Sequence, residues 1–267
     1  MTQCEYCGQN INFRSKKYYI YPAKMKGSLE ITSATIICKD CISKYLSSYD
    51  KSDLDKRSNM AILIAKKDFK EALEVLEPVF DKESESDWYS KGNILLNLGD
   101  AEEALECYDE ALFLDTHYIK AWYRKGHVLF RMMKFMDSAK CFENVVELEG
   151  GGNTGRRLTG WGFPALFCCM IAWICANNEL VNKNQSSKEV YETTGMWVDK
   201  CRSLLTRPLP IYEDEHGNLK YVTLASPELN QTQFVDYCFA NFDRILDAIE
   251  PQVVLEVKSL EDFEKEH

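Results

Sequence analysis

Trp88-Tyr89-Ser90-Lys91-Gly92 and Trp122-Tyr123-Arg124-Lys125-Gly126 are the same five-residue phrase written twice, 34 residues apart. The register holds beyond it, because Leu95 falls on Leu129, Tyr108 on Phe142 and Leu114 on Leu148. Two copies of one supersecondary unit therefore lie between Ser86 and Glu149, with a turn at Gly99-Asp100 inside the first and Asp115-Thr116-His117 between the two.

A period of 34 with this spacing of Trp and Gly resembles the tetratricopeptide repeat (TPR). The resemblance implies an antiparallel helix pair per copy, with Gly92 and Ala104 as the small residues that let two backbones approach. An earlier copy is written in Lys67 to Glu74, which parallels Gly99 to Glu106 at a spacing of 32. It lacks the Trp and Gly, and Pro78 bends or ends its second helix, so it reads as a degenerate first repeat. The second full copy departs as well, with Ser138 where Ala104 stands and Val145 where Ala111 stands. The expected fold is mainly α, a TPR-like helical-repeat solenoid over residues 51–149 behind a small amino-terminal α+β zinc finger over residues 1–50.

The finger rests on Cys4-Glu5-Tyr6-Cys7 and Cys38-Lys39-Asp40-Cys41, two C-x2-C pairs separated by thirty residues. Four thiolates so paired suit the tetrahedral site of Zn2+, and Gly8 tolerates the tight turn behind the first pair. Between the pairs, Tyr18 to Tyr21 and Leu29 to Ile37 read as a hairpin, and Ile42 to Leu46 open a helix. That order resembles the treble-clef zinc fingers. Iron is the weaker assignment: rubredoxin-like sites carry Gly after each pair, and here Ile42 follows the second. With all four ligands Cys4, Cys7, Cys38 and Cys41 thiolates, no coordination position stays open, so the metal is structural.

The chain has 267 residues, 45% hydrophobic and 28% charged, which excludes a disordered tail or a membrane-filled chain. Its net charge of -10 argues against the whole surface being a nucleic-acid platform. Residues 1–50 are the exception, with 7 Lys and Arg against 4 Asp and Glu. Arg14, Lys16, Lys17, Lys24 and Lys26 lie there among tyrosines and are the candidate nucleic-acid contacts. The first residues are polar, without a secretory pattern, so the expected location is cytoplasmic. The apolar run from Phe163 to Ala176 is 14 residues long, short of the roughly 20 a membrane span requires, and reads as a buried core helix with no membrane partner.

Residues 150–162 hold six of the thirteen glycines and read as a linker. A phosphate cradle is the sharper reading of that stretch, but Arg156 and Arg157 follow Gly155 where a P-loop needs Lys and Ser or Thr. Residues 163–267 form the last region: helices at Phe163–Leu180 and Ser187–Leu205, a hairpin across Ile211 to Leu224, and a long capping helix opened by Ser226-Pro227-Glu228. It would close the apolar end of the stack.

No catalytic group is indicated. His117, His127, His216 and His267 are scattered, and Cys107, Cys141, Cys168, Cys169, Cys175, Cys201 and Cys238 fall on apolar helix faces, where a buried thiol is inert. An unrecognised enzyme is the third reading, after an adaptor that binds another protein or peptide and a nucleic-acid- or ribosome-associated factor working through the finger. By the resemblance, the partner-binding groove is carried by Tyr89 and Asn93 in one copy and by Tyr123, Arg124 and His127 in the next. Lys120, Arg124 and Arg131 favour an acidic partner.

Overall fold

The computed structural model describes residues 66–149, 161–213 and 219–249, residues 56, 59, 60, 63 and 64, and the strand segments at 2–3, 10–11, 17–20 and 35–38. Cys4, Cys7, Cys41, Arg14, Lys16, Lys24, Lys26 and the glycine-rich stretch 150–160 lie outside them, as do the side chains of Lys17 and Cys38. In the amino-terminal part, β1 (Thr2–Gln3) pairs with β2 (Asn10–Ile11), and β3 (Lys17–Ile20) pairs antiparallel with β4 (Thr35–Cys38), Lys17 opposite Cys38. The chain forms two compact units that divide after Ala121.

In the first unit, α1 (Phe69–Leu76) runs into a 3-10 turn at Glu77–Val79, where Pro78 can donate no helical hydrogen bond. Next come α2 (Glu85–Leu98) and α3 (Ala101–Leu114), joined by two residues and therefore antiparallel neighbours. Ser84 caps α2 by accepting from the Asp87 N–H at 3.3 Å. The small residues of the repeat decide how close α2 and α3 come. A Cβ on Gly92 would stand 2.8 Å from the Tyr108 ring and 3.2 Å from the Ala104 carbonyl. Met60, Leu63, Ala72, Leu76, Val79 and Ile94 form the core beneath α1 and α2.

The turn after α2 is a Schellman motif. Gly99 is left-handed at φ 103°, its N–H donates to the Leu96 carbonyl, and the Asp100 N–H donates to the Leu95 carbonyl. The same two bonds recur around Lys67 (φ 67°), Met133 (φ 58°) and Asn184 (φ 55°). Lys67 stands 32 residues before Gly99 and Met133 stands 34 after it, so the degenerate first copy turns as the full copies do. Asn184 extends the device beyond the sequence repeat, which makes the two helices on either side of it, Gly162–Asn182 and Lys188–Leu205, one more hairpin with this turn.

The second unit holds most of α4 (Ile119–Arg131), then α5 (Phe135–Leu148), α6 (Gly162–Asn182), α7 (Lys188–Leu205), β5 (Leu209–Glu213), β6 (Leu219–Val222), α8 (Gln231–Ala240) and α9 (Phe242–Ile249). Gly126 of α4 faces Phe142 of α5, and a Cβ there would meet that ring at 2.9 Å. At 21 residues α6 exceeds the apolar run seen in the sequence and is long and apolar enough to cross a membrane. In this fold it is a core helix packed against α5, α7 and α9, with Ala165 to Ile174 buried throughout. Glu143 ties three of these helices together: its Oε1 accepts the Trp173 indole N–H at 2.8 Å and the Trp197 indole N–H at 2.9 Å.

The carboxy-terminal elements correct one expectation. The helix after the β5–β6 hairpin starts at Asn230 and not at Ser226, because Asn230 and Gln233 cap each other: the Gln233 N–H donates to Asn230 Oδ1 at 2.9 Å and the Asn230 N–H to Gln233 Oε1 at 3.0 Å. It also breaks at Asn241, so the expected single helix is two, and Phe242 at the start of α9 stacks on Phe167 at 5.4 Å. The Tyr237 hydroxyl donates to the Leu224 carbonyl at 2.7 Å and the Arg202 guanidinium to the Leu229 carbonyl, which fastens this end to α7.

Candidate functional site

Glu85, Tyr89 and Asn93 recur every four residues along α2 and so share one face of it. Tyr89 is fully buried, with its ring 6.0 Å from that of Tyr108 and edge-on to that of Tyr118 at 5.4 Å. Tyr118, 8% exposed, stands just before α4 at the end of a turn in which the His117 N–H donates to Asp115 Oδ1 at 2.9 Å. The Tyr108 hydroxyl donates to Asn93 Oδ1 at 2.9 Å. The Asn93 Nδ2 and the hydroxyls of Tyr89 and Tyr118 are buried without a hydrogen-bond partner. An unpaired buried polar atom costs about 1–3 kcal/mol, so a concentration of them on one face calls for a reason other than packing.

The field at this face is negative. Burial raises the Glu85 carboxyl against the pull of its own backbone N–H, and the charges of Asp115 and Asp87 raise it further. Burial likewise holds the Tyr118 proton firmly, helped by Tyr89, Glu85, Asp115 and Asp87. Asp87 is already engaged, with its Oδ2 accepting the Asp81 N–H at 2.8 Å. His117, beside Asp115, is mostly solvent-exposed. On another side of the same unit, Leu73, Leu76, Glu77, Phe80 and Lys91 line a cleft of 310 Å³. The Lys91 ammonium there lies 5.4 Å from the Phe80 ring and 5.7 Å from the Trp88 ring.

In the second unit Tyr123 and His127 are packing residues. Their rings meet edge-on at 4.5 Å, Phe142 lies 5.2 Å from His127, and Trp161 lies 4.8 Å from Tyr123. Cys168 Sγ is 4.0 Å from His127 Nε2. Burial, then the Arg124 charge, lowers the imidazole from 6.5 to about 3, so His127 offers no positive charge to a ligand at neutral pH. Arg124 is partly exposed, Arg131 is exposed at the end of α4, and Lys120 is partly exposed in the first unit.

The sequence reading placed Tyr89 and Asn93 together on one face, and it missed Glu85 and Tyr118. Glu85 stands one helical turn before Tyr89, a signal that was available. Tyr118 joins the face only because the Asp115 turn brings it against Tyr89.

Cys107, Cys141, Cys168, Cys169, Cys201 and Cys238 are buried, and Cys175 is partly so. Burial pushes Cys107 up to about 11 and Cys238 to about 12, which suppresses the thiolate. Among the described residues no group of three or more His, Cys, Asp and Glu is placed to share a metal ion.

Residues 87–118 match the family model of the tetratricopeptide repeat. That stretch takes in α2 from Asp87 onward, α3 and Tyr118, so Tyr89, Asn93 and Tyr118 lie within the matched repeat and Glu85 stands just before it. No curated protein matches the sequence. Similar solved structures include MamA from Desulfovibrio magneticus RS-1, 21% identical, covering 58% of this chain and 96% of that one, TM-score 0.37. They also include the TPR domain of Sgt2 from Aspergillus fumigatus, 18% identical, covering 50% and 83%, TM-score 0.40. A third is the type III secretion translocator chaperone SycD of Yersinia enterocolitica, 11% identical, covering 49% and 92%, TM-score 0.40. The fold is mainly helical and TPR-like, and such repeats are scaffolds for protein–protein interaction.

Proposed function

We propose that the protein is a cytoplasmic adaptor whose TPR-like hairpins hold another protein or peptide, with a structural zinc site in front of them. The observation that carries the reading is the α2 face, where a helical repeat leaves the Tyr89 and Tyr118 hydroxyls and the Asn93 amide nitrogen unpaired. A partner's backbone and side chains would supply the missing hydrogen bonds and recover the free energy that the isolated fold forgoes.

Four cysteines and no other donor type favour Zn2+ held by Cys4, Cys7, Cys38 and Cys41, and β4 ends on Cys38, three residues before Cys41. A closed thiolate site supplies folding energy and no catalysis. Elemental analysis of the purified chain should find one zinc per molecule, and a Cys4→Ser, Cys38→Ser double variant should lose it.

The adaptor reading is tested by affinity purification, followed by titration of the purified chain with each recovered protein. Asn93→Ala should weaken binding of a true partner at least tenfold without changing the helical circular dichroism. Recovered proteins that bind Asn93→Ala and the unaltered chain equally would refute the use of this face.

A further inference from the structure

Glu85, Tyr89, Asn93 and Tyr118 carry an asymmetry that the general adaptor reading does not use. Two of them end in hydroxyls that can accept as well as donate, one ends in a carboxylate, and Asn93, whose Oδ1 already accepts from Tyr108, has its amide nitrogen unpaired. Tyr118 is 8% exposed and Tyr89 not at all, while Glu85, Asn93 and Asp115 are partly exposed. Buried oxygen acceptors and aromatic rings behind a carboxylate, with Asp87 and Asp115 close by, suit a cation; an anionic group brought here would meet three like charges.

We propose that this face binds a short extended peptide whose lysine or arginine side chain enters beside Glu85 and is held by its carboxylate and the hydroxyl of Tyr118. The proposal rests on the protein-binding reading and gives it a partner chemistry, basic where the charges of Lys120, Arg124 and Arg131 had suggested acidic. Glu85 and Asn93 are eight residues apart, about 12 Å along the helix axis, which about four extended residues span. The cation lies at the Glu85 end and a main-chain carbonyl of the peptide accepts from Asn93 Nδ2 at the other. Tyr118 is what makes the site: without a ligand its hydroxyl only costs stability, and with one it is an acceptor.

The test uses the full chain and dye-labelled octapeptides in which Lys or Arg alternates with Gly, against matched Gln and Glu peptides, read by fluorescence anisotropy at 150 mM salt. The Lys and Arg peptides should bind, and the Gln and Glu peptides should not. Glu85→Gln should weaken binding at least tenfold. Glu103→Gln, which removes a charge from the exposed side of α3, should leave it unchanged and so control for general attraction to an acidic protein. Tyr118→Phe should raise the urea midpoint while weakening the peptide, a combination that a merely structural tyrosine would not give.

Equal losses in Glu85→Gln and Glu103→Gln, binding of the Gln or Glu peptide as tight as that of the Lys peptide, or no binding of any peptide would overturn the proposal. A purified partner that binds Glu85→Gln as well as the unaltered chain but loses Asn93→Ala would overturn the cation site and leave the adaptor reading standing.

Discussion

The Ser138 hydroxyl donates a 2.8 Å hydrogen bond to the carbonyl of Gly126, from α5 to α4 within one repeat. The preceding repeat has Ala104 at the equivalent position, so a fully buried polar side chain has replaced a methyl group and found its partner on the neighbouring backbone. Ser138→Ala should therefore destabilise the protein by about 1 kcal/mol, the usual net worth of such a bond. Ser138→Val should cost more by overfilling the contact. Urea unfolding of both variants measures the difference, and an unchanged midpoint for Ser138→Ala would show that the bond contributes nothing.

Gly92 and Gly126 are equivalent in the repeat but not equally replaceable. Alanine raises helix propensity by about 1 kcal/mol at either position. At Gly92 the new methyl meets a backbone oxygen, Ala104 O at 3.2 Å, as well as the Tyr108 ring; at Gly126 the nearest atoms all belong to the Phe142 ring. A ring can tilt more readily than a helix can retreat. Gly92→Ala should lower the melting temperature more than Gly126→Ala, and the reverse order would refute this account of the helix contact.

Met133 sits in the left-handed region at φ 58° with its side chain largely in solvent, where its Cβ is a burden and its thioether chain buries little. Met133→Gly should stabilise the protein by about 0.5–1 kcal/mol, and Gly99→Ala should destabilise it by a similar amount. Thermal melts of the two variants should move in opposite directions.

His127 makes the folded state sensitive to acid. The unfolded chain takes up a proton near 6.5 and the folded chain only near 3, so the unfolded state binds more protons between those values. Stability from this group is intact above pH 6.5 and falls as the pH drops towards 3, by at most about 1.4 kcal/mol per pH unit. The urea midpoint measured from pH 7 to 4 should decline less in His127→Phe than in the unaltered chain. Parallel curves would mean that the imidazole is not held neutral.

The repeat was legible because its signal lies in residue identity at fixed spacing: Trp88 and Trp122, Gly92 and Gly126, Tyr108 and Phe142. The turn after α2 announced itself through Gly99, whereas Lys67 and Met133 adopt the same conformation with no glycine to mark it. In those turns tertiary packing of the flanking helices overrides local preference. The start of α8 was misread because Ser226-Pro227 is a good opening on local grounds, while the reciprocal cap of Asn230 and Gln233 is better.

The order of amino acids alone set the helix hairpins, the close-approach glycines, the four paired cysteines and the apolar stripe that became α6, since each depends on neighbours within a turn or a repeat length. Only the folded chain decided that Glu143 would receive indole N–H groups from two other helices, that His127 would stay neutral, and that Tyr118 would meet Tyr89. Those outcomes depend on which side chains burial brings together and which hydrogen bonds it leaves unmade, and neither is fixed until distant segments pack.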